Sequence, residues 1–189
     1  MATNKVNIEA IVAYDSKYGI AKNGTLPWSI KDDMAFFKEK TVGNIVIMGL
    51  NTFLSIPNRF RPLKDRLNIV LTSRYEHYND IYKDKKEYVF FTDNQYIYKH
   101  IQCCLANYIN KYKYLNNIDL LKIFIIGGKQ VYTTFLPLCS TVWVSQIKNC
   151  YDCDLFLNDY AIILEDPLMY LKTIYKEYDL FTIYKYQTV

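Results

Sequence analysis

Glycine is scarce in this chain: six occur in 189 residues, and no spacing among them makes the G-x-G-x-x-G fingerprint of a dinucleotide-binding turn. Histidine is scarcer. His77 and His100 lie far from the one C-x-x-C spacing, Cys150-Tyr-Asp-Cys153, so neither a zinc site nor a thioredoxin-type motif is expected. The five cysteines, Cys103, Cys104, Cys139, Cys150 and Cys153, are odd in number, and residues 1–5 are short and polar rather than a secretory leader; reduced thiols in the cytoplasm are the expectation. Apolar runs are too short to span a bilayer, and no basic tract is dense enough for a nucleic-acid surface. Repeats, linkers and low-complexity blocks are absent as well.

What remains is an ordinary globular composition, 51% hydrophobic and 22% charged, with a mild net charge of +4 that suits anionic small molecules. A chain of this length is expected to form one domain, 1–189, able to bury roughly 70% of its unfolded surface without staples. The rest is organised around residues 25–37, Thr-Leu-Pro-Trp-Ser-Ile-Lys-Asp-Asp-Met-Ala-Phe-Phe. Ser29 is placed to cap a helix over 30–40, and Asp32 completes a capping box with Asp in place of Glu. Asp33 is left over. It lies one turn before Phe37 and beside Met34, on a face with apolar groups. Two readings stay open from these residues alone. One is a solvated acid that favours the helix dipole. The other is an acid in an apolar cleft, costly unless a partner with two adjacent donors, such as an aminopyrimidine edge, satisfies both oxygens.

A near-continuous apolar end to the run over 6–14 predicts a strand covered on both faces; 44–49 reads as a second buried strand, and further strands are placed over 67–71, 87–91, 122–126 and 140–148. Between them the pattern places a long loop over 15–28, a short helix over 50–56 stopped by Pro57, a basic turn over 58–66 and a polar surface loop over 77–86. A long helix over 94–112 follows, capped by Asp93, with Ile97, Ile101, Leu105 and Ile109 at i, i+4 steps, and then a helix over 129–136 ended by Pro137. Residues 170–177 and 181–187 read as a terminal hairpin. The class is α/β, with a mostly parallel sheet and an antiparallel edge.

Gly127-Gly128 follows a buried strand and precedes a helix. Such glycines let a ligand approach the backbone; a tight turn uses the same pair. Thr52 near the start of one helix, and Ser73-Arg74 closing another strand at the same carboxyl edge, could flank one dinucleotide with it. Arg66 is either a fork for a carboxylate or a solvated arginine.

Ile11-Val-Ala13, Gly19-Ile-Ala-Lys-Asn-Gly24, Leu26-Pro-Trp28, Asp33, Phe37, Val46-Ile-Met-Gly49, Thr52-Phe-Leu-Ser-Ile56, Arg61-Pro-Leu63, Arg66, and Ile126-Gly-Gly128 with Val131-Tyr132 occur in one order and spacing. In these the chain resembles the dihydrofolate reductase family over nearly its whole length. The resemblance implies a three-layer α/β/α fold with a central eight-stranded, mostly parallel sheet, an antiparallel C-terminal edge strand and about four helices. It implies reduction of 7,8-dihydrofolate by NADPH, with hydride to C6 and a proton to N5.

By the same resemblance Asp33 would hold the pteridine's amino group and ring nitrogen. Trp28 would fix a water beside it, and Ser145, where the family usually has Thr, would hydrogen-bond the acid. Ile11, Val12 and Ile126 would meet the ring, Phe37 would pack on it, and Ile56 and Leu63 would lie along the benzoyl part. Arg66 would pair with the glutamate carboxylate, with Lys38 nearby. Ala13, Gly49, Asn51, Thr52, Thr72, Ser73 and Arg74 would line NADPH, together with Ile126, Gly127, Gly128, Lys129, Gln130, Val131, Tyr132 and Thr133. The loop of Gly19, Ile20, Asn23, Gly24, Thr25 and Leu26 would close over the nicotinamide. A cis bond between Gly127 and Gly128 belongs to the same pattern. No metal is implied. Antifolates such as methotrexate or trimethoprim-type compounds would bind, and the chain would act as a monomer or as part of a fusion with thymidylate synthase.

Some positions depart from the pattern. Leu50 stands where Arg or Lys usually lies beside the cofactor phosphates, Lys129 and Gln130 follow the glycine pair, Ala21 replaces a loop glycine, and Leu155 replaces Thr after Asp154. Arg74 or Lys129 is expected to restore the lost charge and keep NADPH preferred over NADH. Two other functions compete: a related NADPH reductase of a riboflavin or pterin intermediate, which would not need Arg66, and a non-enzymatic nucleotide-binding regulator.

Overall fold

A computed structural model describes residues 6–117 and 119–189, without the side chains of Leu105, Ala161 and Ile162. The polar opening 1–5 and the Leu105 member of the expected helical stripe thus lie outside the described residues. The strands are β1 (Asn7–Tyr14), β2 (Gly19–Ala21), β3 (Ile45–Gly49), β4 (Leu67–Leu71), β5 (Val89–Thr92), β6 (Lys122–Ile125), β7 (Thr141–Ile147), β8 (Leu155–Phe156), β9 (Tyr170–Glu177) and β10 (Phe181–Thr188). The helices are α1 (Lys31–Thr41), α2 (Leu50–Ser55), α3 (Tyr75–Ile81), α4 (Ile97–Cys103), α5 (Leu105–Lys111), α6 (Lys129–Phe135) and α7 (Asn158–Leu164).

Eight strands form one sheet in the order β5-β4-β3-β6-β1-β7-β10-β9. Pairings from β5 across to β7 are parallel; β10 runs antiparallel to both β7 and β9, which closes the edge as a hairpin. Period-2 alternation gives the sheet two apolar faces. Ile8, Ala10 and Val12 of β1 join Ile97, Ile101, Val131, Phe135 and Leu164 from α4, α6 and α7. Ile11 joins Phe36, Leu50 and Phe53 from α1 and α2 on the other face. Ile45, Val46, Ile47 and Met48 of β3 are all 0% exposed, which accounts for a strand apolar at every position. Each such side chain stabilises the fold by about 1.5–3 kcal/mol.

The structure differs from expectation in five places. First, Ser29 does not cap α1. Ile30 occupies the flanking position with no side-chain cap, and Ser29 is exposed. Ile30 is 8% exposed, and burying it outweighs a surface cap worth about 1 kcal/mol. Second, the polar segment 77–86 is not a loop; it holds α3 and a 3-10 turn, Lys83–Lys85. Tyr78 stacks on Phe91 and Tyr82 meets Phe53, each at 5.3 Å, so aromatic spacing drives a helix within polar composition.

Third, Asp93 caps nothing. Asn94 Oδ1 takes the Tyr96 N–H at 2.9 Å, and this local turn delays the helix to Ile97. Fourth, the long helix is broken at Cys104, whose N–H is shared between the carbonyls of His100 and Ile101. Fifth, the 15–28 loop contains β2, paired antiparallel with β8, and α7 follows β8. Among the described residues there are seven helices, where about four were expected. Among the described residues no helix is long and apolar enough to cross a membrane.

Candidate functional site

Asp33 lies in the first turn of α1, on the face that sets Phe36 against Trp143 of β7 at 5.8 Å between ring centroids. Ser145 is two residues beyond Trp143 on the same face of β7, so helix and strand bring carboxylate and hydroxyl together. Asp33 is 7% exposed. Burial pushes its carboxyl above the usual carboxylate range, and the Ser145 hydroxyl pulls the other way without cancelling that effect. No cation is ion-paired with it among the described residues. Trp28 is buried in the same cluster, and its Nε1–H has no partner.

Phe37 follows one helical turn after Asp33, and the Arg66 guanidinium lies 5.8 Å from its ring. Arg66 is 5% exposed, makes no ion pair among the described residues, and has an unpartnered Nε. Burial lowers the pKa of the guanidinium, with Asp65 opposing. A carboxylate and, beside the Phe37 ring, a guanidinium are thus both buried, and neither makes an ion pair among the described residues.

Asn68 of β4 holds the segment before Arg66. Its Oδ1 accepts the Leu63 N–H at 3.0 Å, and its amide donates to the carbonyls of Leu63 and Arg66, both at 2.9 Å. Ala13, Ile56, Leu63 and Ile126 are half-buried against the cluster that contains Ile11, whereas Val12 faces the opposite one. Lys38 is exposed in the last turn of α1.

A second group of residues lies at the carboxyl ends of β3 and β6. The Gly127-Gly128 bond is cis, as expected, and the Gly49 N–H donates to the Gly127 carbonyl at 2.7 Å. A Cβ on Gly127 or Gly128 would stand 3.3 or 3.2 Å from Thr52 Oγ1, and one on Gly49 would stand 3.3 Å from Val131. The backbone is bare here, with the Thr52 hydroxyl close by. Buried Tyr132 donates its hydroxyl to the Ile11 carbonyl at 2.7 Å, and burial raises the phenol pKa. Asn51, Ser73, Arg74, Lys129, Gln130 and Thr133 are exposed, while Thr72 Oγ1 accepts the Arg74 N–H at 3.2 Å. Leu50 is 8% exposed and packs in the apolar cluster, so its position contributes core rather than charge.

The loop carrying β2 is tied to the segment around β8. Asn23 N–H donates to Asp154 Oδ2, and Lys22 pairs with Asp152, both at 2.7 Å. Thr25 donates to the Lys22 carbonyl, Gly24 has φ +75°, and Leu26 is largely exposed. Ile20 points to the opposite cluster from Trp28. All five cysteines are free thiols, and no three His, Cys, Asp or Glu side chains among the described residues are placed to hold a metal.

Sequence reasoning missed three residues here: Asn68, Asp15 and Tyr151. Asn68 carried a signal, since an amide inside a run apolar on both faces must satisfy its hydrogen bonds. Asp15, 0% exposed, is an acid placed directly after a buried strand. Tyr151 carried none.

A family model described as dihydrofolate reductase matches residues 7–162. A dihydrofolate reductase of Heliothis virescens is 32% identical over 164 residues, covering 81% of this chain and 80% of its own length. One of Schizosaccharomyces pombe is 36% identical over 168 residues, yet the chain spans only 36% of it. The chain spans 28% of a bifunctional dihydrofolate reductase-thymidylate synthase of Zea mays, at 34% identity over 161 residues that cover 80% of this chain. Among solved structures, a dihydrofolate reductase from Enterococcus faecalis complexed with NADP(H) and RAB-propyl superposes with a TM-score of 0.66 at 25% identity, covering 97% of each chain.

Proposed function

This chain belongs to the dihydrofolate reductase family, and from that premise we propose that it reduces 7,8-dihydrofolate to 5,6,7,8-tetrahydrofolate with NADPH as reductant. One observation carries the reading: Asp33 and Arg66 are both buried, neither makes an ion pair among the described residues, and Phe37, one turn after Asp33 on α1, has the Arg66 guanidinium 5.8 Å from its ring. A ligand with an aminopyrimidine edge, a flat ring and a carboxylate tail satisfies all three.

Each side chain then has a definite task. The two Asp33 oxygens accept from the pteridine amino group and the adjacent ring nitrogen, which fixes the ring's orientation. A carboxylate held in a dry crevice favours positive charge on the ring, and so favours the proton at N5. The Trp28 Nε1–H donates to a water at the pteridine edge. Ser145 supports the acid, Phe37 packs on the ring, and Ile56 and Leu63 lie along the benzoyl group. Arg66 offers its planar fork to the glutamate carboxylate.

The bare backbone at Gly49, Gly127 and Gly128 fits a dinucleotide that must approach closely, and the Thr52 hydroxyl offers it a hydrogen bond. NADPH, when bound, supplies the hydride for C6. Arg74 and Lys129 are the exposed cations available to its phosphates, which supports a preference over NADH despite Leu50. The loop that carries Gly19, Asn23 and Leu26 excludes water once closed. Five free thiols support a cytoplasmic setting. The reading of a riboflavin-type or pterin reductase leaves buried Arg66 without a task.

The test is NADPH oxidation followed by absorbance with dihydrofolate as substrate, with and without methotrexate. Turnover that depends on dihydrofolate and is abolished by methotrexate is expected. Turnover with a pyrimidine of the riboflavin type, and none with dihydrofolate, would replace this function by the alternative.

A further inference from the structure

Asp15 is buried completely, at the end of β1, and none of the tasks above uses it. Its Oδ1 accepts the N–H groups of Lys17 at 2.8 Å and Gly19 at 2.9 Å. Its Oδ2 accepts the Tyr151 N–H at 2.8 Å and the Cys153 thiol at 3.7 Å. Burial alone would raise this carboxyl's pKa, but the donors hold it below the usual range, so it is an anion fully spent on two chain segments. One segment opens the loop over the cofactor half of the site. The other follows β7 and leads to β8.

The two segments touch. A Cβ on Gly19 would fall 2.5 Å from both Cβ and Sγ of Cys153, so no side chain fits between them. A further bond runs from the Ser16 N–H to the Asn149 carbonyl at 3.2 Å. With its backbone fixed by Asp15, Tyr151 lays its ring against Trp28, 5.3 Å between centroids and 54° between planes. The Tyr151 hydroxyl makes no hydrogen bond among the described residues, so the ring acts by contact. Trp28 is the residue whose Nε1–H is buried without a partner.

Resting on the function given above, we propose that Tyr151 is a positioning residue. Its ring sets the Trp28 indole so that Nε1–H meets the substrate side of the site, and the Asp15 carboxylate couples that setting to the seating of the loop that begins at Gly19. The substrate half and the cofactor half of the site are thereby joined through one anion. An aromatic contact of this kind is worth about two- to tenfold in substrate affinity. Tyr151 and Asp15 therefore differ in reach: the ring of the first lies against Trp28, while the second holds both segments.

The experiment uses the full chain labelled with 5-fluorotryptophan. With only Trp28 and Trp143 present, it gives two fluorine resonances, assigned by Trp143→Phe. In Tyr151→Leu the Trp28 resonance shifts while that of Trp143 stays, the KM for dihydrofolate rises about two- to tenfold, and the KM for NADPH holds. Tyr151→Phe restores both the resonance and the KM. In Asp15→Asn, whose single acceptor oxygen cannot serve both the Lys17 and Gly19 amides on one side and the Tyr151 amide on the other, the Trp28 resonance moves and both KM values rise. A Tyr151→Leu enzyme with an unmoved Trp28 resonance and an unchanged dihydrofolate KM would overturn the proposal. A wild-type chain inert toward dihydrofolate would overturn the assigned reaction alone, because the fluorine shift still decides whether Tyr151 sets Trp28.

Discussion

Replacing Arg66 by leucine should separate substrate recognition from folding. In the free protein the guanidinium is 5% exposed, lacks an ion pair among the described residues and leaves Nε unpartnered. Burial already disfavours its charge, so the substitution removes a desolvation cost and leaves the melting temperature unchanged or higher. On the proposed function the balance reverses in the complex, because without Arg66 the substrate's glutamate carboxylate is buried with no counter-charge. Truncating one member of such a pair costs about 2–5 kcal/mol. At about 1.4 kcal/mol per tenfold, the dihydrofolate Kd rises by roughly 30-fold to several thousand-fold. The tail is remote from C6 and N5, so the loss falls on KM while kcat is nearly kept. Steady-state kinetics with dihydrofolate, beside a dihydropterin lacking the glutamate tail, reads both effects. An unchanged dihydrofolate KM, or an equal loss with the tailless substrate, would refute the reasoning.

Gly127→Ala places a side chain at φ +118° within 3.4 Å of Thr52 and Tyr132. A cost of about 1–3 kcal/mol should lower the melting temperature by about 2–12 °C and blunt the further rise that NADPH gives, and a melt matching wild type with and without NADPH would count against the cradle. Asp33→Asn should be stabilising in the free protein. The raised carboxyl pKa means that this group's contribution to stability is complete below the unfolded value of about 3.9 and is lost as pH rises through the folded value. The variant should therefore melt higher than wild type at neutral pH and equally in acid; a lower melting temperature at neutral pH would show that the ionised acid stabilises the fold.

Much of the fold was legible because its strands are buried on both faces. Ile45 to Met48 and the run from Leu67 could be read from β-branched and aliphatic density alone. The α3 helix could not, since Tyr75, Tyr78 and Tyr82 sit in a polar stretch and reveal their spacing only against Phe53 and Phe91. Ser29 failed as a cap because the burial of Ile30 decided where α1 begins. At the site, Asp33, Trp28 and Arg66 were named from motif spacing, but spacing cannot show that Nε1 of one and Nε of another end without partners. Asp15 and Tyr151 escaped notice for a similar reason. Their bond joins a side chain to a backbone amide 136 residues away, and a backbone amide leaves no mark on composition or periodicity.

On the proposed function the buried Asp33 carboxylate drives the reaction by favouring the proton at N5. Single-turnover hydride transfer from NADPH to dihydrofolate at neutral pH, compared between wild type and Asp33→Asn, tests it most directly. Loss of the proton-directing anion should slow that step by about 10²–10⁴-fold in a variant that remains folded. Transfer at close to the wild-type rate would contradict the account.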